Sequence, residues 1–281
     1  MKYRKLSYFI GVALVAASIA SLVVKGLNYG IDFAGGISMD VRSAAAGYGI
    51  ADMRNDLADW KPELQEDNQG NVMIRIGLNK NSTDEQQNQI VGEIKKALGE
   101  NVEYQQIQVV GPKIGGELIR GGIMAMIFAF LMMGIYIWIR YRGGYAAGML
   151  MSLVLDFMLM FGFYSLVGLE FSQSAIAVIL MGVGYSTNDK IVNYDRIMEN
   201  SKKYHKMPTL DLVDLSVNEM LSRTILTSVT TMLVMISLLL FAKSVLGEFA
   251  LAMLFSIVSG TLTSIFISNS SLVYFKIRDH E

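Results

Sequence analysis

Three charged residues stand where a lipid bilayer would make them expensive. Asp156 interrupts an otherwise apolar run at 143–169, Asp189 directly follows the apolar run 171–188, and Arg223 directly precedes the apolar run 224–242. A charge at the centre of a membrane helix costs at least about 2.5–3.5 kcal/mol, so such residues mark ion paths or paired sites by default. The chemistry on offer is the handling of a proton or small cation, because a carboxylate takes up and releases a proton while a guanidinium stays charged. If the run ending at 188 points inward and the run starting at 224 returns outward, Asp189 and Arg223 share one depth and can meet. Asp156 lies nearer the midplane and has to face a partner, a cavity or another subunit. Plainer readings exist for the other two: Arg223 as an anchor that snorkels to the headgroups, Asp189 as a boundary residue beside Lys190.

A second cluster, Gly30-Ile31-Asp32-Phe33-Ala34-Gly35-Gly36, follows the first apolar run. Its paired glycines allow tight backbone geometry, and Asp32 reads as a residue bonding nearby backbone N–H groups in a structural connector, in preference to a ligand site. No Gly-Lys-Ser/Thr follows, so this is no phosphate loop. Neither His205 nor His280 has a partner at metal-ligand spacing, and no nucleophile–base pair stands out. No cofactor, no metal and no enzymatic activity are expected.

The elements that must hold these residues are visible as apolar runs. The chain has 281 residues, 52% hydrophobic and only 17% charged, against about 25% charged in soluble domains. Charge-free or nearly charge-free runs at 6–24, 121–139, 143–169, 171–188, 224–242 and 249–275 are each long enough to span, since about 20 apolar residues suffice. The first has a basic start (Lys2, Arg4, Lys5) but is too long for the apolar part of a signal peptide, and is read as a retained helix. Lys and Arg concentrate before residue 6, at 140–142, at 196–206 and at 276–278, whereas 168–173 holds none and 242–248 only Lys243. Both termini are therefore expected in the cytoplasm, with a long segment on the far side. The net charge of −1 points to no nucleic-acid partner, and the absence of cysteine excludes disulfides and thiolate metal sites.

The domain reading is residues 1–25 as a first membrane helix, 26–119 as an outer domain, and 120–281 as helices two to six with a cytoplasmic loop at 194–222. Within that loop Leu210, Val213, Leu215, Val217 and Leu221 suggest a surface helix. In the outer segment, 37–43 alternates as a half-buried strand, and Ile50, Met53, Leu57 and Trp60 share a helix face. Runs at 64–67 and 72–78 flank the turn signal Asn68-Gln69-Gly70-Asn71. Ser82-x-x-Glu85 is a capping box for a helix burying Ile90, Val91, Ile94, Ala97 and Leu98, and 102–110 closes as a strand. The order β-α-β-β-α-β is that of a ferredoxin-like α+β domain. The expected class is thus a polytopic α-helical membrane protein with six transmembrane helices and one small outer domain.

These motifs resemble the SecF branch of the SecD/SecF family of protein-export membrane proteins. Residues 30–36 look like its GIDFxGG signature, and Gly111-Pro112-x-Ile114-Gly115-x-Glu117-Leu118 like its lead into the second helix. Gly184-Tyr185-Ser186-x-Asn188-Asp189, followed by Asp195-Arg196-Ile197-x-Glu199-Asn200, is similar to its GYSxND…DRIxEN motif. Leu221-Ser222-Arg223-Thr224 with Thr227-Ser228-x-Thr230-Thr231 is similar to its fifth-helix motif. The resemblance implies six helices of the RND type in the bacterial inner membrane and a periplasmic outer domain. It also implies partnership with SecD, the SecYEG channel, YajC and the exported unfolded polypeptide, and a late pull driven by the proton or sodium gradient. It makes Asp189, Arg223 and Asp156 the ion-coupling residues. Three positions depart from the family pattern: Leu155 where a His often precedes the third-helix acid, Lys190 in place of Thr beside Asp189, and Met198 in place of Arg. The rival readings are an RND-type small-molecule efflux transporter, which usually carries about twice the spans, and a non-conducting scaffold, which gains little from intramembrane charge.

Overall fold

The structure is a computed structural model that describes residues 4–44, 47–66, 70–77, 84–141, 143–241 and 244–275. In chain order the elements are α1 (Arg4–Val24), β1 (Asn28–Tyr29), the single turn α2 (Ile31–Ala34), β2 (Gly36–Ser43), α3 (Ile50–Asp56), β3 (Glu63–Glu66), β4 (Asn71–Gly77), α4 (Asp84–Leu98) and β5 (Val102–Val110). There follow α5 (Pro112–Arg140), α6 (Gly144–Val167), β6 (Glu170–Phe171), α7 (Gln173–Lys203), α8 (Thr209–Phe241), α9 (Ser244–Leu262), a π-helical segment (Thr263–Ser268) and α10 (Asn269–Tyr274). Two units form: Tyr29–Ala125 with Glu170–Gln173, and the remainder of the chain.

The first unit is built on period-two alternation. Ile37, Met39 and Val41 of β2 and Val72, Ile74 and Ile76 of β4 turn to one side and are buried, while Ser38, Asp40 and Arg42 take the other face. The four strands run in the order β3-β4-β2-β5, all antiparallel, with Met39 opposite Ile74 on one flank and Ile107 on the other. A bulge between Asp40 and Val41 shifts the β2–β5 register. Met53 and Leu57, and Ile94 and Leu98, press onto the apolar face with no exposure, and Ile50, Trp60, Ile90, Val91 and Ala97 pack around them. Each such side chain contributes about 1.5–3 kcal/mol on full burial, so this core holds the sheet without a disulfide. The third and fourth strands begin one residue earlier than the pattern 64–67 and 72–78 predicts. Residues 68 and 69 of the predicted turn, and Ser82 of the predicted cap, lie outside the described residues.

The second unit is helical and packs on small residues. A Cβ on Gly162 of α6 would overlap Ser18 of α1, and one on Gly182 of α7 would overlap Ser256 of α9. Ser21 and Ser165 hydroxyls meet at 2.9 Å across α1 and α6. Such close approach, with hydroxyl bonds across the seam, is how helices associate when lipid removes the hydrophobic drive.

Among the described residues, four helices are long and apolar enough to cross a membrane: Ile114–Arg140, Gly144–Val167, Thr209–Phe241 and Leu246–Tyr274, with Tyr8–Val24 a shorter apolar helix. Of their most apolar windows, 44% and 50% are buried in the second and fourth, against 6% and 11% in the first and third. The second and fourth therefore form the middle of the bundle, and the first and third offer apolar faces to lipid or to another chain. The helix α7 is not among the four, because Ser186, Asn188, Asp189 and Lys190 dilute its apolar first half.

Sequence reading also ended this helix too early. It continues to Lys203, and α8 begins at Thr209 and takes in the helix expected around 210–221, so most of the 194–222 connection is helical. At 1.5 Å per residue these helices are roughly 46 and 50 Å long, well beyond an apolar layer of about 30 Å.

Candidate functional site

Asp156 projects from α6 into the centre of the helical unit, where Lys190 of α7 meets it in a buried ion pair. Their side chains are 5% and 1% exposed. The Lys190 ammonium bonds Asp156 Oδ2 and lies 3.5 Å from the Ser152 carbonyl, while Thr263 Oγ1 donates to Asp156 Oδ1 at 2.8 Å. Both carboxylate oxygens thus have partners. Thr263 opens the π-helical segment, and its neighbours there engage the same face of α7: Asn193 Nδ2 donates to Ser264 Oγ at 3.0 Å and Tyr194 OH to the Ser268 carbonyl at 2.9 Å. Lys190, Asn193 and Tyr194 share one helix face at i, i+3 and i+4. The wider π turn, a feature common at functional sites, meets that face through Ser264 and Ser268 and meets Asp156 of α6 through Thr263.

Asp189 points elsewhere, as one residue turns a helix by about 100°. Its Oδ1 accepts from Thr224 Oγ1 of α8 at 2.7 Å. Its Oδ2 is buried and has no hydrogen-bond partner among the described residues, and the same holds for Ser186 Oγ one turn earlier. Arg223 is exposed, and among the described residues no ion pair joins it to Asp189. The depth argument therefore brings the right turns of α7 and α8 together but is off by one residue: Thr224 faces the acid and Arg223 stands beside it on the helix. Asn188 is exposed, Tyr185 OH lies 3.4 Å from Thr231 Oγ1, and Gly184 has open space where a side chain would be.

The remaining motif residues of α7 tie helix ends together. Asp195 accepts from Arg140 of α5 at 2.7 Å and from Tyr141 OH at 3.0 Å. Arg196 bonds Glu199 and, across to α8, Glu219, each at 2.7 Å, and Asn200 donates to the same Glu219 at 2.7 Å. Solvent-facing pairs of this kind are worth about 0–1 kcal/mol each, so they set orientation more than stability.

Residues 30–36 are a tight turn. Gly35 has φ 74°, a backbone that suits glycine, and a Cβ on Gly36 would sit 2.8 Å from the Ile76 carbonyl oxygen. Asp32 does not bond its local backbone as predicted: its Oδ2 accepts the N–H of Gln173, the first residue of α7, at 3.2 Å.

Sequence reasoning missed Lys190, Thr224 and Thr263. Lys190 carried a signal. An acid in the middle of a span demands a cation, and Lys190 lies close to a neighbouring span; in the sequence it stands out only as a departure from the family pattern beside Asp189.

Residues 90–278 match the family described as protein export membrane protein SecD/SecF, C-terminal, and residues 20–46 match the SecD/SecF GG motif. Protein translocase subunit SecF of Rickettsia felis is 39% identical over 99% of this chain and 92% of its own length, and that of Rickettsia bellii 38% over 100% and 94%. The chain belongs to the SecF family.

Among solved structures, SecDF of Thermus thermophilus, a translocon-associated membrane protein, superposes with a TM-score of 0.85 at 30% identity. A SecDF in a super-membrane-facing form gives 0.72 at 31%. Each alignment covers 99% of this chain and 39% of the SecDF chain, so the sheet unit and the helical unit of this SecF-family chain both have counterparts within a longer polypeptide.

Proposed function

We propose that this chain is an accessory subunit of the Sec protein translocase that works with SecD to drive late steps of protein export from the proton or sodium gradient. In this reading it lies in the bacterial inner membrane with six RND-type spans, α7 among them, and both termini in the cytoplasm. Residues 26–119 form a periplasmic ferredoxin-like domain, a reading supported by the strand order β3-β4-β2-β5. SecYEG, YajC and the unfolded exported polypeptide are its further partners.

The observation that carries the reading is the contrast between two acids on one bundle. Asp156 is saturated by Lys190 and Thr263, so its charge is balanced and it holds α6, α7 and the π segment together. Asp189 keeps one buried oxygen without a partner among the described residues, and a proton placed there breaks no hydrogen bond seen there. Asp189 is the group that loads and unloads, Thr224 orients it, and Arg223 stands one residue away on α8. Each charge moving through 100 mV supplies about 2.3 kcal/mol, enough to bias two arrangements of the outer domain that differ by a few kcal/mol.

The reading is tested by reconstituting the chain with SecD and SecYEG in vesicles and following export with and without an imposed ion gradient. A gradient-dependent increment that an ionophore removes supports it. Export indifferent to the gradient, or movement of small molecules in place of polypeptide, refutes it.

A further inference from the structure

The turn at 30–36, with Tyr29 and Arg75 beside it, grips the segment that links α6 to α7 through six separate contacts. Glu170–Gln173 belongs to the same unit as the sheet, although the chain on both sides of it belongs to the helical unit. The Gly30 N–H donates to the Phe171 carbonyl at 3.0 Å. Asp32 Oδ2 accepts the Gln173 N–H. The Glu170 carboxylate takes the Ile31 N–H and pairs with Arg75 on β4. The Phe171 ring packs edge-on against Tyr29 at 6.2 Å and tilted against Phe33 at 5.8 Å between centroids.

Glycine is needed for the fit. A Cβ on Gly30 would overlap the Glu170 side chain, and one on Gly115, in the first turns of α5, would stand 3.0 Å from the Phe33 carbonyl oxygen.

We infer that residues 30–36 are a clasp that carries displacement of α7 into the outer sheet. Arg75 and Glu170 are its main positioning residues, and Asp32 secures the first turn of α7. Arg75 sits on β4, which is flanked by β3 and β2, so the load enters the middle of the sheet and not an edge. From Gln173 to Asp189 is about 24 Å along the single helix α7, which is the covalent route from the acid to the clasp. The inference rests on the functional reading above, because it says how a gradient-driven step at Asp189 would reach the outer domain.

The test uses the reconstituted complex and reads ion uptake, gradient-driven export and amide exchange at 171–173 in parallel. In Arg75→Glu, export should fall by roughly tenfold or more, as for loss of a hydrogen bond to a charged group. Ion uptake should remain and exchange at 171–173 should speed up. The swap Arg75→Glu/Glu170→Arg should restore export and slow exchange again. Because the chain has no cysteine, Gly30→Cys/Glu170→Cys adds a switch: reduced, it should resemble Arg75→Glu, and oxidised, it should export again.

Undiminished export in Arg75→Glu overturns the inference. So does loss of ion uptake together with export, which would mark a general structural defect. Unchanged exchange at 171–173 overturns it even if the complex proves indifferent to the gradient, an outcome that would instead count against the functional reading.

Discussion

Lys190 and Asp156 form an ion pair sealed inside the helical unit, and Asp189, the residue before Lys190, takes no part in it. Two acids that look alike in sequence thus do different work. One is neutralised and holds helices together; the other is left with an open oxygen. A buried pair is poor evidence of stability in itself, since both desolvation costs are large, but removing one partner strands the other charge.

A double-mutant cycle follows from that asymmetry. Asp156→Leu or Lys190→Met alone should lower the stability of the detergent-solubilised protein by about 3–5 kcal/mol, and the double substitution should recover most of the loss. Thermal unfolding of the four proteins measures it. Equal and additive losses would show that the two side chains are not paired.

Two glycines of α7, two residues apart, should behave oppositely. Gly182→Ala pushes a methyl into Ser256 and should cost about 1–3 kcal/mol, the usual penalty of overpacking. Gly184→Ala meets open space and should be neutral, or stabilise by up to about 1 kcal/mol through helix propensity. Unfolding temperatures compare them directly; a destabilised Gly184→Ala would mean the seam is drawn wrongly.

The sheet unit should carry a pH signature from Glu170. Burial pushes its carboxyl above the usual range, and Arg75 and the Ile31 N–H only partly pull it back. A group raised in the folded state stabilises most below its ordinary value, near 4.3 for Glu, and loses that contribution as pH rises through the folded value. The parent should therefore lose stability relative to Glu170→Gln as pH climbs from about 4, read as unfolding temperature of the sheet unit. A difference that stays constant with pH would contradict the assignment.

Thr224 supplies the hydrogen bond that orients Asp189. Thr224→Val should cut gradient-driven export by roughly tenfold, since a bond to a charged group is lost, and Thr224→Ser should keep it. If Val and Ser variants export alike, the hydroxyl has no role in orienting the acid.

Much of this architecture is legible in the sequence because the rules behind it are local. Alternation at Ile37, Met39 and Val41, and helical spacing at Met53 and Leu57, depend only on near neighbours, and the structure buries all five. Asp156 announces itself by its cost. What escapes is set by distant contacts: Lys190 joins Asp156 34 positions away, and Asp32 reaches Gln173 141 positions away. The ends of α7 and α8 also escape, because polar residues that signal a loop in isolation stay helical where Asp195, Arg196 and Asn200 find partners on α5 and α8. The slip from Thr224 to Arg223 has the same origin: charge marks the right turn of the helix, but side-chain direction differs by about 100° between adjacent residues.

The claim on which the rest depends is that Asp189 is the residue that loads and releases the coupling ion. Asp189→Asn keeps the shape and the Thr224 contact but cannot ionise. Reconstituted with SecD and SecYEG, the variant should assemble as the parent does and export at the gradient-free rate whether or not a gradient is imposed. Export that still accelerates when the gradient is applied would contradict the account.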